Sequence, residues 1–203
     1  MKVLFATSNP MKIISFKERL SKYNIEFDVL ADYKLDKRVK ETGKNALENA
    51  ILKAKGYYDL TKVLTIAMDD ELFIEGLPVG LEPGVFVKRI NGKELSDEEM
   101  IEHYGALIKE YGGKLKAHWN YGMVVCSDKG LKSFTWKSKD FYFISTPCKE
   151  INKGHPLNSL SIDIETGKYI AEFPERYRAS YNDEITDEKL IVFLLNAIME
   201  LKM

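Results

Sequence analysis

A chain of 203 residues can bury a substantial core as one large domain or two joined lobes, and a composition 45% hydrophobic and 11% aromatic leaves little room for disorder. Thirty basic residues against thirty-one acidic ones exclude the broad basic footprint of a nucleic-acid-binding protein, yet allow a local basic pocket for a small polyanion. No apolar run approaches the roughly 18 residues of a membrane-spanning helix. The start, Met1-Lys2-Val3-Leu4-Phe5-Ala6, turns polar too soon for a signal peptide. Cys126 and Cys148 form neither a metal-ligand spacing nor a disulfide framework. A reduced, cytoplasmic setting with no membrane and no nucleic-acid partner is expected.

No internal repeat or low-complexity linker divides the sequence, so a single domain over residues 1–203 is expected. Lys2 to Ala6 reads as a short buried strand that stops at Thr7-Ser8-Asn9. Asn9 suits an N-cap, and Pro10 suits the first helical position, where its missing N–H is no loss. Ile13, Phe16 and Leu20 then recur at helical spacing. Phe27 to Leu30 is a candidate second strand. Asn45 followed by Glu48 resembles a capping box and predicts a helix over Ala46 to Tyr57. Val63 to Met68 predicts a buried strand carrying Asp69-Asp70-Glu71 at its carboxyl end. Gly76, Pro78, Gly80, Pro83 and Gly84 mark a loop-rich passage. Ser96 and Glu99 open a third helix running to Tyr111. From Lys116 the period changes to two: Trp119, Tyr121, Met123 and Val125 share one face, and Lys129-Gly130 turns into a run ending near Phe143, a hairpin signal. Asp187 to Leu201 closes the chain as an amphipathic helix. A mixed α/β sheet with two lobes follows.

Three places carry chemistry. At Thr7-Ser8-Asn9-Pro10-Met11-Lys12 a strand opens into a helix, so free backbone N–H groups and the positive end of the helix dipole suit a phosphate. The Thr7 hydroxyl, the Asn9 amide and the Lys12 ammonium add donors. Read alone, Asn9 as a cap and Lys12 as a solvated lysine is the plainer account. The second place is Glu41-Thr42-Gly43 with Lys53 two or three turns into the following helix. An acid there can hold a hard cation while the lysine pairs with phosphate, though each also fits an ordinary surface role. The third is Asp69-Asp70-Glu71. Three consecutive acids beside the core repel one another and lose solvation, and a counter-cation such as magnesium relieves both costs. A solvated acidic turn is the alternative.

Taken together, Thr7-x-Asn9-x-x-Lys12, Glu41-Thr42-Gly43 with Glu48-Asn49-Ala50-x-x-Lys53-Ala54, Asp69-Asp70 and Pro83-Gly84-Val85-Phe86 occur in one order over residues 1–90. In this the chain resembles the inosine triphosphate pyrophosphatase family, which removes non-standard purine triphosphates such as ITP and XTP. The resemblance implies an elongated mixed β-sheet with flanking helices forming two lobes around a central cleft, one domain rather than two, in a homodimer. It implies that Thr7, Ser8, Asn9, Lys12 and Lys53 hold the triphosphate, and that Glu41 and Asp70 hold Mg2+. Asp70, with Asp69, would help activate the attacking water, and Lys88 would add a further cation near the ligand.

The second half departs from that pattern. Where the family reads the base with a Phe-Gly-Trp-Asp-Pro-like segment, the chain has His155-Pro156-Leu157-Asn158-Ser159, and the usual Ser-His-Arg is replaced by Arg176-Tyr177-Arg178-Ala179-Ser180-Tyr181-Asn182. After the aspartate pair, Glu71-Leu72 stands for Ser-Gly. His155, Asn158, Arg176, Arg178, Tyr181 and Asn182 are therefore candidates for an altered base pocket, each with a packing or surface role as the alternative. The implied activity is hydrolysis of a nucleoside triphosphate, ITP, dITP or XTP, to the monophosphate and pyrophosphate. Two alternatives remain: the same reaction on a modified pyrimidine or standard nucleotide, or a nucleotide-binding protein without catalysis.

Overall fold

The computed structural model describes residues 2–23, 25–174 and 184–202. In chain order its elements are β1 (Lys2–Phe5), α1 (Pro10–Leu20), β2 (Glu26–Val29), α2 (Ala46–Thr61), β3 (Thr65–Ile74), β4 (Arg89–Ile90), β5 (Lys93–Glu94), α3 (Asp97–Glu110), β6 (Lys114–Ser127), β7 (Gly130–Lys137), β8 (Phe141–Ile144), β9 (Ser161–Asp163) and α4 (Glu184–Lys202). One sheet has the order β2-β1-β3-β6-β8-β9, with β7 also paired to β6. β1 runs parallel to β2 and β3, while β8 runs antiparallel to β6 and β9, so the sheet is mixed as expected. No described helix is long and apolar enough to cross a membrane.

The chain forms two compact units. The first comprises Met1–Asp70, Tyr121–Trp136 and Asp183–Met203. Its core is built around small residues: Ala50 and Ala54 of α2 meet Leu4, Ala6, Ala67, Val124 and Cys126 of the strands. A helix carrying alanine at four-residue spacing presents one low face, which lets it lie close to a sheet. Gly122 of β6 makes the approach closer still, since a Cβ there would stand 2.6 Å from the Leu47 Cα and 2.7 Å from its nitrogen. The start of α2 is thereby seated on backbone. It is also well capped: Asn45 Oδ1 accepts the Glu48 N–H at 2.8 Å, and Glu48 Oε2 accepts the Lys44 N–H at 2.7 Å. In α4, Leu190, Leu194, Ala197, Ile198 and Leu201 are buried at helical spacing.

The second unit comprises Glu71–Asn120 and Lys137–Asn182. Met100, Tyr104 and Ile108 of α3 pack on Leu72, Ile74, Ala117, Phe141 and Phe143. Tyr104 is fully buried, and its hydroxyl donates to the Val87 carbonyl at 3.0 Å, which satisfies the one polar atom the ring carries inward. Ser96 and Glu99 form the reciprocal capping box that opens α3.

Two elements differ from expectation. β3 does not stop at Met68 but runs to Ile74, so Asp69, Asp70 and Glu71 lie inside a strand rather than beyond its end. The strand continues because Leu72 and Ile74 alternate into the second core, and burial there outweighs the low strand preference of the three acids. The run after Lys129-Gly130 is also two strands, not one. Ser138-Lys139-Asp140 breaks it, with Ser138 exchanging hydrogen bonds with the Trp119 backbone and Asp140 held by Lys116 at 2.8 Å and Lys137 at 2.7 Å.

The contact at Gly122 is backbone against backbone, so it has no flexible partner to give way. Gly122→Ala should lower stability by about 1–3 kcal/mol. The melting temperature should then fall by roughly 2–12 °C for a domain of this size, as thermal unfolding would show.

Candidate active site

The site begins where β1 ends. Past the buried Ala6, the chain turns through Thr7-Ser8-Asn9 into α1. Thr7 Oγ1 accepts the Asn9 N–H at 3.1 Å, and Asn9 Oδ1 accepts the Lys12 N–H at 3.4 Å, so Asn9 caps the helix through a long bond. The helix starts with Pro10, which has no N–H to direct outward, and it carries no acid in its first turn. Its positive end is left for an external anion.

Two lysines and three carboxylates gather beside this turn. Lys12 Nζ lies 2.6 Å from Asp70 Oδ1. Lys53 Nζ, from α2, lies 3.2 Å from Glu41 Oε1 and 3.4 Å from Asp69 Oδ1, and donates to the Met68 carbonyl at 3.2 Å. Asp69 and Asp70 are neighbours on a strand and leave it in opposite directions, so one reaches the helix carrying Lys53 and the other the helix carrying Lys12. Glu41 is brought in by the turn before α2, where the Gly43 N–H donates to Asn49 Oδ1 at 2.7 Å. A Cβ on Gly43 would meet the Asn49 nitrogen at 2.7 Å, so only glycine lets the turn fold so tightly onto the helix.

The electrostatics follow from this crowding. Burial pulls the Lys12 ammonium down, but Asp70, Asp69 and Glu41 outweigh it and leave its pKa raised. Burial pushes the Asp69 carboxyl above its ordinary range; Lys53 and Lys12 oppose the shift, while Asp70 and Glu41 add to it. Three negative charges against two positive ones leave the cluster one charge short of neutrality, which favours a cation beside it.

A cavity of about 230 Å³ opens on this cluster, lined by Thr7, Ser8, Asn9, Lys12, Glu41 and Lys53 among others. Pockets that enclose a whole drug-sized ligand run from about 300 to 1,000 Å³, so this one takes a part of such a molecule. The ammonium, hydroxyl and amide groups on its wall are donors of the kind a phosphate accepts from, beside the Glu41 carboxylate and the apolar Leu30 and Val39. Six residues expected from the sequence thus meet in one place, and Asp69 and Asp70 join them through their ion pairs. Arg38 also lines the cavity, and no motif in the sequence marks it. Its only sequence signal is the basic stretch Lys37-Arg38-Val39-Lys40 ahead of Glu41.

The remaining candidates belong to the second unit or are not described. Lys88 pairs with Glu94 at 3.3 Å, with both side chains exposed. His155 precedes the 3₁₀ turn Pro156–Ser159, and Asn158 Nδ2 donates to Asn152 Oδ1 at 3.2 Å. Glu71 accepts a hydrogen bond from Asn120 Nδ2 at 3.2 Å. Arg176, Arg178, Tyr181 and Asn182 lie outside the described residues.

Residues 3–139 match the model of the Ham1 family. The chain belongs to the Ham1 family. A dITP/XTP pyrophosphatase of Thermus thermophilus is 30% identical over 182 residues, covering 90% of this chain and 86% of that protein. One from Aquifex aeolicus is 39% identical over 101 residues, covering 50% of this chain and 48% of its own length. The chain thus spans about half the length of several of the curated relatives it matches. Among solved structures, the Ham1 protein of Staphylococcus aureus superposes with a TM-score of 0.76 at 21% identity, over 97% of this chain and 98% of that one. The HAM1 protein of Coxiella burnetii gives 0.77 at 21% identity, over 97% and 100%. The Ham1 fold therefore extends over nearly the whole chain. The family model's match covers the cavity residues and Lys88, and it stops before His155 and Asn158.

Removing Lys53 would leave Asp69 and Glu41 without their shared ammonium. Fully buried broken pairs cost about 3–5 kcal/mol. Because the Glu41 side chain is 36% exposed, Lys53→Met should cost less, on the order of 2 kcal/mol. Asp69 already titrates above its unfolded value, and this loss raises it further, so the penalty is present while Asp69 is ionised. Denaturant titrations should show the deficit shrinking as pH falls through the raised Asp69 pKa, and Asp69→Asn in the same chain should remove much of it.

Proposed function

We propose that this protein is a nucleoside triphosphate pyrophosphatase that cleaves between the α and β phosphates of non-standard purine nucleotides, ITP, dITP and XTP, releasing the monophosphate and pyrophosphate. The carrying observation is the cavity walled by Lys12, Lys53 and the start of α1, with Glu41, Asp69 and Asp70 held on those same two ammoniums. The names of the relatives, dITP/XTP pyrophosphatases, support the purine reading. A cytoplasmic homodimer that clears damaged nucleotides is the setting we infer.

In the arrangement described, carboxylates occupy both lysines. An incoming triphosphate carries more charge than the carboxylates that hold Lys12 and Lys53, so it takes both ammoniums and frees the acids. The acids released, Glu41 and Asp70, are hard oxygen donors that fit a magnesium ion, which needs only one or two carboxylates beside water and phosphate. When bound, magnesium would neutralise charge on the α-phosphate and acidify a water.

The chain's own groups supply the rest. Thr7, Ser8, Asn9 and the end of α1 orient the phosphates, converting binding into alignment. Asp70, with Asp69, takes the proton of the attacking water. Burial holds the Asp69 carboxyl above its ordinary range, the direction that strengthens a carboxylate as a proton acceptor. Lys12 and Lys53 offset charge on the departing pyrophosphate. The cavity is too small for a whole nucleoside triphosphate, and in our reading Lys88, His155, Asn158, Arg178 and Tyr181 recognise the base.

A second reading keeps the reaction and changes the base. It rests on the family match ending at residue 139, and on His155-Pro156-Leu157-Asn158-Ser159 standing where the family has an aromatic segment. A site shaped around particular hydrogen bonds rejects bases that lack them.

Pyrophosphate release across a panel of triphosphates separates the two. ITP, dITP and XTP should be cleaved well ahead of ATP, GTP, CTP and UTP; preference for another base supports the second reading, and tight binding without release rejects both. In the same assay Asp70→Asn should lower turnover about a hundredfold or more at saturating magnesium, about 2.7 kcal/mol of barrier. An unchanged rate would remove Asp70 from the mechanism.

A further inference from the structure

Arg38 belongs to none of the motifs by which the chain resembles its family, yet it lines the same cavity as Lys12 and Lys53. It stands on the loop between β2 and α2, three residues before Glu41. No hydrogen bond or ion pair holds its guanidinium among the described residues, whereas Lys12 and Lys53 are both matched by carboxylates. Its neighbours Lys37 and Lys40 make the same stretch positive on a chain of net charge -1.

The loop is docked at this point. Val39 packs against Gly56 of α2 so closely that a Cβ on Gly56 would stand 2.7 Å and 2.8 Å from the two Val39 methyl carbons. Val39 joins the first unit's core as a partly buried member, and Tyr57, next to Gly56, is both in that core and on the cavity wall. The backbone on one side of Arg38 is therefore pinned to a helix, while the long side chain stays exposed at the rim. An anchored arginine without a carboxylate is a preorganised anion receptor, because its planar fork offers paired N–H donors that match phosphate oxygens.

We propose that Arg38 grips the terminal phosphate of the substrate and so sets how many phosphates the enzyme accepts. This rests on the phosphate reading of the cavity given above. The inner phosphates belong beside Asp69 and Asp70, where the proton must go, and that is where Lys12 and Lys53 are. The terminal phosphate carries the most charge and the most free oxygens. It needs a cation whose charge no carboxylate cancels, and Arg38 supplies one. A diphosphate seated on the two lysines would leave Arg38 unused.

The test is calorimetric titration of the full chain with inorganic tripolyphosphate and with pyrophosphate, in magnesium-free buffer at physiological salt. The parent protein should bind tripolyphosphate more tightly than pyrophosphate. Arg38→Gln should weaken tripolyphosphate roughly tenfold and pyrophosphate by less than about twofold, at an unchanged melting temperature. Arg38→Lys, which keeps the charge but loses the fork, should fall between. If Arg38→Gln weakens both anions equally, or neither, the inference is wrong. If neither anion binds the parent, the phosphate reading fails and takes this inference with it. Absence of nucleotide turnover beside an Arg38-dependent preference for tripolyphosphate would overturn the pyrophosphatase reading alone.

Discussion

Two adjacent aspartates inside a buried strand are a liability that the first unit is arranged to relieve. Neither Asp69 nor Asp70 can move away, because β3 continues on both sides of them. Each therefore needs a cation delivered from outside the strand, and the alternation of side chains means a different helix must deliver each one. α1 brings Lys12 and α2 brings Lys53. The capping of those helices, the glycines that let α2 sit down on the sheet and the turn that carries Glu41 all serve to place two ammoniums within reach of two carboxylates. The same arrangement stores binding capacity. In the proposed function, the lysines that hold the acids would pass to phosphates, and the acids freed would serve a cation and a proton.

Much of this was legible because local chemistry dictated it. Pro10 after Asn9 can only begin a helix well, and Asn45 with Glu48 marks the start of α2 in the same way. Both boundaries appear where those residues put them. The gathering of Thr7, Asn9, Lys12, Glu41 and Lys53 was legible only as a family pattern. Nothing local in the chain pairs Lys12 with Asp70, 58 positions away, since that contact is made by tertiary packing.

The failures have physical causes as well. Three acids in a row look like the end of a strand, but Leu72 and Ile74 supply enough burial to carry β3 past them. The interruption at Ser138-Lys139-Asp140 is set by hydrogen bonds to Trp119 and by ion pairs to Lys116 and Lys137, none of which the local sequence announces. Arg38 is not legible as a cavity residue, because an arginine among lysines on a loop is indistinguishable from surface charge. The close seat of Val39 on Gly56, which distinguishes it, exists only in three dimensions.

The course of β3 through the acids also limits how this family member can change over time. In a strand, adding or deleting one residue turns every following side chain to the other face. A single inserted codon between Thr65 and Asp69 would present each aspartate to the wrong lysine and turn Leu72 and Ile74 away from their core at the same stroke. Changes of length within this segment are therefore closed to the chain.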